Sequence, residues 1–175
     1  MSGTATGLFK LLMPLVLMSA PASSMLTVAI PSPTTQELAA ANKLVDGMQL
    51  LPRLHNDCAL RLQVAKEAAL RFATSNDSRK AADPEYVADV QMAVMPLITE
   101  ELVDRIWTDV REDLSYKLAM ARGNEESVRS IDPQSAAGWH VWYALRPWAD
   151  QIARNALAAN KAGGGAREVS VKSVC

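Results

Sequence analysis

Cysteine, histidine and phenylalanine are each present only twice in 175 residues. With Cys58 and Cys175 far apart and no HExxH motif, no local zinc set can be drawn. There is also no G-x-S-x-G element and no glycine-rich phosphate loop, since the one glycine run is Gly163 to Gly165. Charge of one sign is missing too. The chain carries 18 basic and 19 acidic residues, net -1, without a like-charge block, so a nucleic-acid footprint is not expected. The longest apolar run, Leu11 to Met18, is too short to cross a bilayer and contains Pro14. No cofactor motif is found.

What the N-terminus does contain is an address. Lys10, the apolar run, and Ala20 and Ala22 spaced as in an A-x-A site read as a signal peptide over residues 1–22, cut after Ala22. Removing it takes one basic residue and no acid, which leaves 17 basic against 19 acidic residues. The expected location is periplasmic or secreted, with no membrane span left after cleavage. In such a compartment Cys58 and Cys175 can form a disulfide, worth on the order of 4 kcal/mol in the chain-entropy model. The competing reading of Cys58 is a buried thiol on an apolar helix stripe.

Residues 23–33 form a Pro- and Ser-containing linker, residues 34–162 a helical domain, and residues 163–175 a flexible tail. Thr34 with Glu37 predicts a capping box and a first helix bearing Leu38, Ala41, Val45 and Met48 on one face, ending or kinking between Gly47 and Pro52. A second helix is expected from Pro52 to Thr74, its stripe running through Leu51, His55, Cys58, Leu62, Ala65, Ala69 and Phe72. Asp83-Pro84 and Asp132-Pro133 are two further helix starts, a capping carboxylate before a proline at the first position. Pro96 should kink or end the third helix, and a fourth is expected from Leu97 to Ala121 with Gly123 as its C-terminal cap. The last helix should run from Pro133 to Asn160, interrupted near Pro147. The fold class is therefore all-α, a single irregular bundle of four or five helices after a cleaved signal peptide.

The segment "PTTQELAAANKLVDGM" resembles the start of a family of small exported bacterial helical domains of unknown function, matched by Leu38 to Ala41 and Leu44 to Asp46. "DPEYVADVQMAVMPLITEELVDRI" is similar as well. The likeness covers about half of the mature chain. Where that family has an aromatic-Tyr-Ser/Thr-Pro-x-Gly element, this sequence has "HVWYALRPWADQ". The resemblance implies a helical fold and an envelope location, and brings no catalytic residues.

Candidate chemistry is thin. His55 and His140 could serve a hydrolase only if folding brought their rings together. The acids Glu100, Glu101 and Asp104 lie on a helix rather than in a cation-binding loop and read as a solvated face. The aromatic segment is different. On a helix Trp139, Trp142, Tyr143, Arg146 and Trp148 cover more circumference than one core stripe needs, so at least one ring is left for a partner. Trp142 beside Arg146, poised for a cation–π contact, is the first candidate. The expected function is binding of another envelope or secreted protein without catalysis. An apolar-ligand or lipid pocket, and a His-dependent hydrolase, are the alternatives.

Overall fold

Two Asp-Pro pairs and one Thr-x-x-Glu box set three helix starts as the sequence predicts. In the computed structural model, which describes residues 32–76, 78–121 and 123–162, Thr34 Oγ1 accepts from Glu37 N at 3.2 Å while Glu37 Oε2 accepts from Thr34 N at 2.7 Å, opening α1 (Thr35–Gly47). Asp83 Oδ1 accepts from Glu85 N and Tyr86 N at the head of α5 (Pro84–Val94), and Asp132 Oδ1 accepts from Gln134 N at the head of α8 (Pro133–Leu145). Each carboxylate or hydroxyl satisfies amides that the first helical turn leaves without partners.

Between these starts the chain breaks more often than expected. The long helix anticipated over Pro52 to Thr74 is two, α2 (Leu50–Asn56) and α3 (Cys58–Asn76), because Asp57 leaves the helical region at φ -106°, ψ 100° and its Oδ1 accepts from Leu60 N at 3.1 Å. Gln49, at φ 54°, takes the left-handed turn between α1 and α2. The short α4 (Ser78–Ala81) precedes α5. Pro96 then sits in a 3-10 turn over Met95–Leu97, and α6 (Glu100–Ala121) starts at Thr99, whose Oγ1 accepts from Leu102 N. Gly123, at φ 75°, does follow α6 as its cap. "NEESVRS" contributes a one-turn helix, α7 (Glu125–Arg129), and a second 3-10 turn over Arg146–Trp148 separates α8 from α9 (Ala149–Ala162). The described residues thus contain six helices of eleven residues or more instead of four or five, and no strand.

The long helices pack in a row: α1 on α6, α6 on α8, α8 on α3, α3 on α5, and α5 on α9, with α2 against α6 and α3. Because α3 is sandwiched, it buries two faces rather than one stripe. Leu60, Val64 and Ala68 join Leu62, Ala65, Ala69 and Phe72 in the core. Fully burying one such Leu or Val stabilises the fold by roughly 1.5–3 kcal/mol. In α2 the buried residues are Leu50 and Leu54, while Leu51 and His55, with Cys58 at the start of α3, are only partly buried. Polar ties fix the register between neighbours. Gln91 Nε2 donates to Leu62 O at 2.9 Å, Ser115 Oγ donates to Asn42 Oδ1 at 2.7 Å, and Arg111 grips Asp46 through Nε at 2.7 Å and Nη2 at 2.8 Å. The Arg111 guanidinium holds the Asp46 carboxyl below the usual carboxylate range.

No helix of the described residues is long and apolar enough to cross a membrane. The expected signal peptide, its cleavage after Ala22, the tail from Gly163 and the Cys175 half of the expected disulfide all lie outside the described residues.

Candidate functional site

The second half of α8 carries the aromatic segment, and the 3.6-residue period divides it between core and solvent. Trp142 turns inward, packing edge-on against Phe72 of α3 at 6.5 Å between centroids. Trp139 and Tyr143, one turn apart, stack outside at 5.4 Å with planes 10° apart, and are 38% and 55% exposed. The Arg146 guanidinium lies 5.3 Å from the Trp142 ring and 5.6 Å from the Tyr143 ring, as the spacing predicts for a cation–π contact. Trp148, half exposed in the 3-10 turn, takes no part in this cluster. The structure therefore brings together Trp139, Trp142, Tyr143 and Arg146, but the rings facing outward are Trp139 and Tyr143; Trp142, the first candidate, belongs to the core.

Next to Trp139 lies a cleft of about 650 Å³, which no sequence motif marks. It is walled by Arg71 of α3, Asp113 and Lys117 of α6, Ser135 and His140 of α8, and the connector at Ile131 and Asp132. Lys117 Nζ and Asp113 Oδ2 pair at 2.7 Å. His140 is buried to 9% exposure, with Nε2 at 3.8 Å from Asp113 Oδ2 and no hydrogen-bond partner.

Burial pushes the His140 imidazole below its ordinary value, against the opposing pull of Asp113 and Asp109. The unfolded chain then takes up a proton below about pH 6.5 while the folded chain does not, so stability is lost as pH falls through that range and levels off below the folded value. A His140→Gln protein should lack this component. Urea midpoints measured from pH 7.5 down to 5.5 are expected to fall more steeply for the native protein than for the variant; parallel lines would show that His140 titrates alike in both states.

The remaining sequence candidates do not converge. His55 Nε2 sits 3.0 Å from Asp104 Oδ1, nine residues along α6 from Asp113, so the two histidines address levels of that helix about 13 Å apart. A site using both rings is not assembled. Among the described residues no three His, Cys, Asp or Glu side chains gather as metal ligands do. Comparison of the chain with protein-family models, with characterised proteins and with solved structures gave no match. Two neighbouring features of the described residues remain as candidates, the aromatic face and the cleft.

Proposed function

We propose that the protein is a non-enzymatic binding protein of the cell envelope or exported fraction, and that it engages another protein through Trp139, Tyr143 and Arg146. The observation that carries this reading is the exposed Trp139–Tyr143 stack, with Arg146 laid beside it and Trp142 seated in the core behind it. Aromatic and arginine side chains supply most interface hot spots. Rings already held by one another lose little conformational freedom on binding, so more of their burial appears as affinity. The cleft, lined by four charged side chains, lends no support to the lipid-pocket alternative, because a long acyl chain filling it strips water from all four charges without replacing it.

A photo-crosslinking residue at position 143, compared with one at exposed Leu44 on α1, tests the face in the producing cell. A discrete adduct is expected at 143 and not at 44, and Trp139→Ala should reduce its yield by about tenfold or more, as loss of a hot spot does. Equal adducts at both positions, or none at 143, would remove this reading.

A further inference from the structure

Two arginines in this protein present the same donor edge to very different surroundings. In Arg111 the Nε and Nη2 hydrogens, which point the same way, are filled by the two oxygens of Asp46 at 2.7 and 2.8 Å. In Arg71 that edge meets only the Ser135 hydroxyl, at a long 3.4 Å from Nη2, and the buried Nε has no partner. Among the described residues no carboxylate pairs with Arg71. A partly buried guanidinium normally finds a carboxylate or phosphate for this fork.

The rest of the cleft narrows what could fill it. Lys117 pairs with Asp113 at 2.7 Å, and Asp132 caps α8 through Gln134 N, so Arg71 is the lining cation with no carboxylate on its donor edge. Asp113 and Asp132 in the same walls repel a dianion, which favours a single negative charge over phosphate. Ile131, Ala136 and the Trp139 indole provide an apolar side. The volume of about 650 Å³ falls within the range of small-molecule sites.

We propose that this cleft binds a small organic monocarboxylate, its carboxylate held by the Arg71 guanidinium beside Ser135 and its apolar body against Trp139 and Ile131. The Ser135 hydroxyl rotates to donate to the same carboxylate, and the Lys117 ammonium, which has hydrogens to spare, sets the limit of the anionic end. This site shares the Trp139 ring with the protein-binding face but is anchored on the other side of it, by Arg71. Arg71 takes no part in the Trp139–Tyr143 stack, so Arg71→Gln should leave crosslinking at position 143 unchanged, and either reading can fail without the other.

Isothermal titration of the purified full chain with benzoate, hexanoate and N-acetylphenylalaninate, each beside its methyl ester, and with inorganic phosphate tests it. At least one carboxylate should bind with Kd below about 1 mM, with its ester and phosphate weaker by about tenfold or more. Arg71→Lys and Arg71→Gln should each weaken the carboxylate by about tenfold or more while circular dichroism stays native. Should the Arg71 variants not fold, Ser135→Leu blocks the same edge from α8 and should produce the same loss. The proposal is overturned if no carboxylate binds, if an ester or phosphate binds as tightly as its carboxylate, or if carboxylate binding survives Ser135→Leu.

Discussion

Gly138→Ala should destabilise the protein by about 2 kcal/mol, although alanine is the better helix former by about 1 kcal/mol. Gly138 lies where α8 crosses α3, and a methyl group there meets Glu67 Cβ, with Val64 O at 3.2 Å and Ala68 N at 3.3 Å. None of these is the far end of a flexible side chain. Relief requires the two helices to part, and they are flanked by Ala65, Ala68, Ala69 and Ala137, which are at most 0% exposed and hold no slack. Overpacking of this kind costs about 1–3 kcal/mol, and backbone on the opposing helix places it at the upper end. Urea denaturation measures the difference. In a Glu67→Gly background the same substitution should cost markedly less, and a Gly138→Ala protein more stable than the parent would mean the helices are not in this contact.

How much of this was visible in the sequence depends on whether the signal was local. Caps are local, and Thr34, Asp83 and Asp132 start their helices by the bonds their side chains make with amides two or three residues on. Asp57 makes the same kind of bond, but the apolar spacing from Leu51 to Phe72 runs unbroken across it, so the break does not show in the periodicity. The second buried face of α3 depends on a helix far away in sequence, since Val64 and Ala68 lie where Gly138 of α8 crosses. The cleft is still less local. Arg71 stands 64 residues from Ser135, and nothing in its immediate sequence sets it apart from the other charges off the apolar stripe. What marks it is a buried, unpartnered Nε on a residue that lines the cleft, a combination that exists only after folding.

Within the aromatic segment, truncation should separate neighbours sharply. Trp142→Ala is expected to cost about 3 kcal/mol, the low end of the range for a core tryptophan, because its ring packs on Phe72 and part of it stays accessible. Tyr143→Ala, with a 55% exposed ring, should change stability by no more than about 0.5 kcal/mol. The order of binding effects should be the reverse, with Tyr143→Ala removing the partner contact in a protein that remains fully folded. Thermal or urea unfolding of the two variants, beside the crosslinking yield from a probe at exposed position 148 in the neighbouring 3-10 turn, reports both quantities. If Tyr143→Ala proves as destabilising as Trp142→Ala, the Trp139–Tyr143 stack is structural, and the surplus of rings on α8 has an explanation in stability alone.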